Sequence, residues 1–228
     1  MISEPLISVI ISAHNSEASI FKCIESILNQ TYKNLEILII DDHSTDSTFK
    51  IIESLTNSDN RVRLFRNTKN IGLTLNLNRL IAISSGEYIA RQDADDFSNL
   101  KRFEKQLNYL LKNNLDGVCS LAKDTTKNKT YPGLTKYINP RIVMKFRNPF
   151  IHGTLLISKK AIKAVNFYDE SFKFAQDYKL YSDLFEKNFK IKNMHEPLYF
   201  LNTVDNISSK FEKEQKDFAL KVRKNYKF

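Results

Sequence analysis

Apolar runs typical of buried strands alternate with helical patterns through the first hundred residues, and this alternation constrains the fold most. The runs ISVIIS (7–12) and LEILII (35–40) are rich in β-branched residues, like strands buried on both faces of a parallel sheet. RVRLF (61–65) and EYIAR (87–91) predict a third and a fourth strand. Apolar residues at helical spacing predict a helix after each of the first three strands, the third over 73–84. The alternation predicts an α/β fold with a single doubly wound, mostly parallel sheet flanked by helices.

The second half of the chain is less regular. We predict a helix over 99–113, strands at 117–122 and 154–158, and an amphipathic helix over 175–188. Residues 123–135 have the composition of an exposed loop. Because no linker or internal repeat separates the two halves, we expect one domain.

The composition is that of a folded protein of the cytoplasm. Of the 228 residues, 42% are hydrophobic and 27% are charged, with both signs spread along the chain. No apolar run approaches the roughly 18 residues of a membrane span, and the N-terminus does not read as a signal peptide. Cys23 and Cys119 lie far apart in apolar segments, which predicts two buried free thiols and a reducing compartment.

The positive charge indicates an anionic partner. Lys and Arg total 35 against 26 acids, and in the absence of a nucleic-acid-binding module this favours a membrane or a phosphate-bearing substrate. Phe211, Phe218 and Val222 would form one face of a basic C-terminal helix. That helix would lie on the inner face of the cytoplasmic membrane as a peripheral contact, or it would be an ordinary solvated terminal helix.

Polar clusters follow three of the four predicted strands. They are SAHN (12–15), DDHSTD (41–46) and QDADD (92–96). Ligands of doubly wound sheets collect beyond the carboxyl ends of the strands. The three clusters therefore predict a binding site at that edge.

The third cluster places Asp93, Asp95 and Asp96 within four residues, where like charges repel. In an extended segment Asp93 and Asp95 would point the same way, with Asp96 turned elsewhere. Two converging carboxylates suit Mg²⁺ or Mn²⁺, which would remove the repulsion and neutralise a leaving phosphate. The alternative is a loop of helix-capping aspartates.

Four segments in order resemble the family 2 glycosyltransferases, inverting nucleotide-sugar enzymes with the GT-A fold. They are SVIISAHNSEASIFKCIESILNQTYKNLEILIIDDHSTDST, NIGLTLNLNRLIAISSGEYIARQDADDFS, NPFIHGTLLISKKAI and FAQDYKLYSDL. The resemblance implies a nucleotide-sugar-binding half at 1–98, an acceptor-binding half with the catalytic base at 99–206, and a basic C-terminal helix at 207–228.

The resemblance also implies roles for individual residues. Asp42 would accept a hydrogen bond from uracil or ribose, and Asp41 would be either a second ligand or a structural hydrogen-bonding group. Relatives carry a basic residue near position 77 that contacts the diphosphate; Leu77 stands there, so Arg79 or Arg91 either substitutes or is structural. The implied nucleotide-sugar contacts are Ser12, His14, Asn15, Asp41, Asp42, Asn70, Gly72, Asp93, Asp95 and His152.

The implied metal ligands are Asp95, assisted by Asp93 and Asp96, and the cofactor is Mn²⁺ or Mg²⁺. Asp177 occupies the position of the catalytic base, which takes a proton from the acceptor hydroxyl; the alternative is a helix cap. His152 would line the donor-sugar pocket or ligate the metal, or it would be structural.

The resemblance further implies a UDP-sugar donor and transfer of a hexose or N-acetylhexosamine to a saccharide or lipid-linked glycan acceptor. GEYIAR, DADD, NPFIH and NISSK look most like bacterial enzymes that build lipooligosaccharide, capsule or O-antigen. Three alternatives stay open: a dTDP- or GDP-sugar donor, a catalytically silent binder of a nucleotide sugar or glycan, and a phosphoryl-transfer protein with an aspartyl nucleophile.

Overall fold

A mixed β-sheet runs through the computed structural model, which describes residues 4–202 and 211–226. Its strands are β1 Ile7–Ala13, β2 Leu35–Asp41, β3 Val62–Arg66, β4 Tyr88–Arg91, β5 Phe97–Ser98, β6 Gly117–Asp124, β7 Lys129–Tyr131, β8 Leu156–Ser158 and β9 Ile191–Leu201. The α-helices are α1 Ile20–Leu28, α2 Thr48–Thr56, α3 Leu73–Ile83, α4 Arg102–Lys112, α5 Pro140–Val143, α6 Lys159–Ala164, α7 Gln176–Glu186 and α8 Glu212–Asn225. Short 3₁₀ turns lie at Leu134–Tyr137 and His152–Thr154.

The strand order within the described residues is β3-β2-β1-β4-β8-β6-β9-β5, with β7 added to β6. β1 to β4 are parallel, and β1 pairs with both β2 and β4. β8 runs antiparallel to its neighbours β4 and β6, whereas β6 and β9 are parallel. The α/β fold with helices on a central sheet is therefore confirmed, and the reversed β8 makes the sheet mixed.

Alternation of side chains along β1 explains why its centre, Val9–Ile11, is apolar at consecutive positions. Val9 and Ile11 pack with Ile24 of α1 on one face of the sheet. Ile10 packs with Leu77 of α3 on the other. A strand covered by helices on both faces is apolar along most of its length.

The four strands and three helices predicted in the first half are confirmed to within a few residues at each end, and so are the predicted helices that became α4 and α7. The loop expected at 123–135 was wrong in part, because it contains β7 and part of a 3₁₀ turn. β9 was missed. It carries Pro197, and its pairing with β6 has register shifts near Leu121, so its sequence shows no regular period. Cys23 and Cys119 are buried free thiols, as expected.

The C-terminal helix packs part of its apolar face against the body of the protein. Phe218 contacts the rings of Phe172 and Phe174, and Val222 is 1% exposed. Two residues of the face predicted for membrane contact, Phe218 and Val222, thus pack inward, because the chain before α7 offers aromatic partners, whereas Phe211 is 43% exposed. Membrane contact through this helix stays a prediction. Residues 207–210 and 227–228 of the predicted segment lie outside the described residues. Among the described helices, none has the length and apolar character needed to cross a bilayer.

Arg102, at the start of α4, is wholly buried and joins three parts of the chain. Its guanidinium donates to the carbonyls of Arg91 at the end of β4 and Gly153 in the second 3₁₀ turn, each at 2.9 Å. It also donates to side chains of Gln92, Ser98 and Gln106. Burial lowers the pKa of Arg102 to about 10, which still leaves it charged at neutral pH.

Replacing Arg102 with Met should destabilise the fold by about 3 kcal/mol or more, because several buried acceptors would lose their donor. The measurement is urea unfolding followed by circular dichroism. Lys101→Met is the matched control, since its side chain is exposed and the same change there should cost less than about 0.5 kcal/mol. Equal midpoints for the two variants would show that Arg102 does not hold these elements together.

Candidate active site

The carboxyl ends of β1, β2 and β4 lie side by side in the sheet, and the three polar clusters meet there as predicted. The clusters are tied to one another by hydrogen bonds. The Asp42 N–H donates to the carbonyl of Ala13 at 2.7 Å. The Ser19 hydroxyl and the Cys23 thiol, at the start of α1, donate to the carbonyls of Ala94 and Asp93. The edge is therefore one connected surface.

Asp42 holds the loop that precedes α3. One carboxylate oxygen accepts from Asn67 Nδ2 at 2.8 Å and from the Ile71 N–H at 2.9 Å, and the other accepts from the Gly72 N–H at 2.9 Å. A carboxylate has about four acceptor positions, so room for one further donor remains. The structure gives Asp42 a loop-holding contact, and its contact with a nucleotide stays a prediction.

The loop needs glycine at position 72. Gly72 has φ +87°, a conformation that side-chain-bearing residues rarely adopt. Asn70, two residues earlier, is exposed. The pair therefore lies on a shaped loop beside the strand ends.

The remaining residues predicted to bind the nucleotide line the ends of β1 and β2. The Ser12 hydroxyl accepts from Asn76 at 3.0 Å, and His14 Nδ1 lies 2.9 Å from the Asp42 carbonyl. Asn15 accepts from the Thr45 N–H at 2.9 Å. These contacts fix the side chains of Ser12, His14 and Asn15 along one rim.

Asp41 points away from this rim. It is wholly buried, and its carboxylate lies 3.3 Å from Arg66 Nε in the neighbouring strand β3. The structure gives the Asp41 carboxylate an ion pair and no hydrogen-bond partner among the described residues, so its role at the site stays a prediction.

The acidic loop after β4 is not extended, and the expectation of alternating side chains was wrong because residues 94 and 95 form a turn. Asp93 pairs with Arg91 Nη2 at 2.5 Å, and Asp96 accepts the Asn202 N–H at 2.7 Å. Arg91 is 1% exposed, which favours the structural alternative for this residue. As a result of the turn, all three carboxylates face one cavity.

The three carboxylates hold more negative charge than Arg91 neutralises. Burial and the neighbouring Asp93 raise the pKa of Asp95. Burial, Asp93 and Asp95 raise the pKa of Asp96 further. The repulsion noted in the sequence is therefore only partly relieved by the protein itself.

These residues fit a hard divalent cation. Within the described residues no three His, Cys, Asp or Glu side chains form a closed ligand set. Mg²⁺ and Mn²⁺ in nucleotide enzymes, however, take one or two carboxylates and complete their shell with water and substrate phosphates. The carboxylates of Asp95 and Asp96, whose pKa values are raised, lie in an open cavity. They match the need for one or two carboxylate ligands beside water and phosphate.

His152 lies in the same cavity as a neutral imidazole. Burial and the nearby Arg91 lower its pKa to about 3. Its Nε2 is 2.7 Å from the Tyr168 hydroxyl. The next residue, Gly153, is packed so tightly that a Cβ would lie 2.6 Å from Asp93 Oδ2 and would overlap the Tyr199 hydroxyl. The acidic loop and this turn are thus in direct contact.

Asp177 lies at the second position of α7 and lines the same cavity as the acidic loop. Ala175 before the helix has φ +52°, a strained conformation for a residue with a side chain. Asn148 Nδ2 donates to Asp177 Oδ2 at 2.7 Å. Burial raises the pKa of Asp177 to about 6, which backbone N–H groups and Asn148 partly oppose. A carboxylate with this pKa is ionised at neutral pH and basic enough to take a proton.

The cavity of about 390 Å³ joins residues that are far apart in the chain. Asp93, Asp95, Asp96, His152 and Asp177 all line it, whereas the rim residues of β1 and β2 do not. Leu73, directly after the Asp42-held loop, connects the two regions.

Sequence reasoning missed four residues of this site. Asn148 and Tyr168 hold Asp177 and His152, and Asn202 and Gln215 line the wall. Only Asn148 lay in a segment singled out from the sequence, the NPFIH motif. The other three come from regions without a motif, so no sequence signal pointed to them.

The sequence profile of glycosyl transferase family 2 matches residues 8–168, which span both the rim and the acidic loop. The chain belongs to this family. WbnJ of Escherichia coli, an O-antigen biosynthesis glycosyltransferase, is 34% identical over 202 residues, 85% of this chain and 78% of that protein. WfaP of Escherichia coli, named a UDP-Glc:α-D-GlcNAc-diphosphoundecaprenol β-1,3-glucosyltransferase, is 30% identical over 192 residues, 82% of this chain and 73% of that protein.

Solved structures agree on the fold of this family member. TarS of S. aureus (residues 1–349) in complex with UDP-GlcNAc superimposes with a TM-score of 0.80 at 18% identity, over 98% of this chain and 68% of that one. The mannosyltransferase PcManGT of Pyrobaculum calidifontis, in complex with GDP-Man and Mn²⁺, gives 0.78 at 15% identity, over 97% and 64%. The family and the GT-A fold expected from the sequence are confirmed, and the protein is a glycosyltransferase.

The pKa of Asp177 predicts the acid limb of activity. A base acts as the carboxylate, so kcat/KM should fall as the pH drops through about 6. Asn148→Ala removes a hydrogen bond that lowers this pKa, and the limb should move to higher pH. Asn113→Ala, an exposed asparagine that bonds only within its own helix, should leave the limb in place. Identical pH profiles for Asn148→Ala and wild type would contradict the positioning of Asp177 by Asn148.

Proposed function

We propose that this glycosyltransferase moves a hexose or N-acetylhexosamine from a UDP-sugar to a hydroxyl of a saccharide or lipid-linked glycan, with inversion at the anomeric carbon. One observation carries the proposal: a carboxylate with a pKa of about 6, Asp177, lines the same cavity of about 390 Å³ as three other acidic side chains. Inverting transfer needs a base on one side of the sugar and charge neutralisation on the other.

The rim residues supply the nucleotide site in this proposal. Ser12, His14, Asn15, Asp42 and the loop of Asn70 and Gly72 would contact the base and ribose, with one acceptor position of Asp42 free for an N–H donor. A UDP donor is supported by WfaP, whose name specifies UDP-Glc, and by TarS, which binds UDP-GlcNAc. PcManGT binds GDP-Man, so a GDP-sugar is the second candidate.

In this proposal Asp95, with Asp93 and Asp96 beside it, would hold Mn²⁺ or Mg²⁺. The cation would neutralise charge on the departing nucleotide diphosphate. Arg91 holds Asp93 in place through their 2.5 Å ion pair. The neutral His152, held by Tyr168, is able to hydrogen-bond a sugar hydroxyl without adding charge.

Asp177 does the proton chemistry in this proposal. Its carboxylate takes the proton of the acceptor hydroxyl as the hydroxyl oxygen attacks the anomeric carbon, while Asn148 keeps the carboxylate turned to the cavity.

The two halves of the chain have different roles in this proposal. Residues 1–98 would bind the nucleotide sugar and residues 99–206 would bind the acceptor. The names of WbnJ and WfaP support a role in a bacterial surface glycan, made at the inner face of the cytoplasmic membrane.

Asp177→Asn should lower kcat by about 10²- to 10⁴-fold while leaving the fold and the affinity for UDP unchanged, because the amide keeps the shape of the carboxylate but accepts no proton. The measurements are radiolabelled sugar transfer and a UDP-induced thermal shift. Asp183→Asn, on the same helix and paired with Lys179, is the matched control and should stay within about threefold of wild type. Wild-type turnover by Asp177→Asn would rule out this residue as the base.

A panel of UDP-, GDP- and dTDP-sugars with Mn²⁺, Mg²⁺ or chelator tests the donor and the cation. We expect a thermal shift and metal-dependent release of UDP with UDP-sugars. A preference for GDP- or dTDP-sugars would overturn the donor assignment. Thermal shifts without release of a nucleotide from any donor would support the alternative of a catalytically silent binder. Asp95→Asn should weaken the Mn²⁺-induced thermal shift even in the absence of turnover.

A further inference from the structure

Exposed apolar side chains concentrate on residues 134–147, which we name the 134–147 surface. Scattered exposed apolar residues are ordinary, but a contiguous group marks an interaction site. Of the twelve large apolar residues that are exposed in the described chain, five lie here: Leu134 at 83%, Phe146 and Tyr137 at 68%, Ile142 at 52% and Ile138 at 45% exposure.

The 134–147 surface is a fixed part of the fold, and its exposure is not a consequence of poor anchoring. Val143 and Met144 of the same segment point inward and are 4% and 0% exposed. The Met144 carbonyl accepts from the Tyr178 hydroxyl. Arg141 donates to the carbonyl of Phe185. With its inward side chains packed, the segment presents the others outward.

The chain segment that carries this surface has charges of a single sign. Residues 125–168 contain nine Lys and Arg and no Asp or Glu, and the rest of the chain carries 26 of each sign. The formal net charge of +9 therefore resides in this segment. Three of the nine interleave with the exposed apolar residues, Lys136, Lys145 and Arg147, while a fourth, Arg141, is one of the inward anchors.

We propose that the 134–147 surface docks on an anionic phospholipid bilayer. Apolar side chains interleaved with Lys and Arg are typical of segments that lie in the membrane interface, where anionic headgroups attract each basic residue. A second copy of the chain is a poorer partner, because a two-fold contact would bring the same positive charges face to face. The basic α8 is also a poorer candidate, since Phe218 and Val222 pack inward and it exposes one large apolar side chain, Leu220, against five on the 134–147 surface.

The 134–147 surface adjoins the candidate active site. Arg147 is followed by Asn148, whose amide donates to Asp177, and Met144 is bonded to Tyr178, the residue after Asp177. Docking at this surface would bring a lipid-linked acceptor to the side of the cavity that holds Asp177. This role for docking rests on the proposed function.

Sedimentation with vesicles tests the docking. The chain should bind vesicles of phosphatidylcholine mixed with phosphatidylglycerol, less at high salt, and should not bind phosphatidylcholine alone. Two double variants, Leu134→Asn with Phe146→Asn and Lys145→Glu with Arg147→Glu, should each lower the partition coefficient at least about tenfold.

Matched controls carry the same changes elsewhere. Phe21 and Leu111 are about half exposed, and Phe21→Asn with Leu111→Asn should bind vesicles like wild type. Lys33→Glu with Lys50→Glu, at exposed lysines in the first half, should lose less than about threefold. Circular dichroism and UDP-sugar hydrolysis in solution should match wild type for both 134–147 variants.

Three results would overturn the inference. They are failure of wild type to bind the anionic vesicles, loss of binding only in Lys221→Glu with Lys224→Glu on α8, and a dimer in solution that Phe146→Asn dissociates. Vesicle binding without any donor hydrolysis would leave the docking intact and contradict only the proposed function.

Discussion

Two buried arginines beneath the acidic loop are the constraint on which the site depends. Arg91 is 1% exposed and pairs with Asp93, and Arg102 is 0% exposed and bonds the carbonyls of Arg91 and Gly153. Removing such charges from water is costly unless each finds acceptors. Carboxylate and carbonyl acceptors at the end of β4 provide them, and in return the arginines hold the acidic loop against its own repulsion.

The same arrangement separates the roles of the acidic residues. Arg91 faces Asp93, while Asp95 and Asp96 are left with raised pKa values and, among the described residues, no ion pair with a buried cation. Asp177 lies apart on α7, where burial raises its pKa to about 6. One cavity therefore contains a cluster suited to a cation and a single carboxylate suited to a proton, because their surroundings differ. A bilayer docked at the 134–147 surface would lie on the side of the cavity that holds Asp177.

Much of the site could be predicted because its residues follow strands or begin a helix. The acidic loop comes directly after the apolar run of β4, and Asp177 opens the amphipathic pattern of α7, so pattern and family resemblance marked both. Asn148, Tyr168 and Asn202 could not be found in this way. Each acts through one contact with a residue distant in sequence, and a periodic pattern carries no information about such contacts.

The sequence by itself determined the α/β fold, the edge of the sheet at which the polar clusters meet, and the family, because these follow from local periodicity and from residue order. Tertiary structure alone decided the rest. The turn at residues 94 and 95 directs all three carboxylates into one cavity, and α8 packs Phe218 and Val222 inward while the 134–147 segment exposes apolar side chains. The physical reason is the same in each case: which side of a segment faces inward depends on what packs against it.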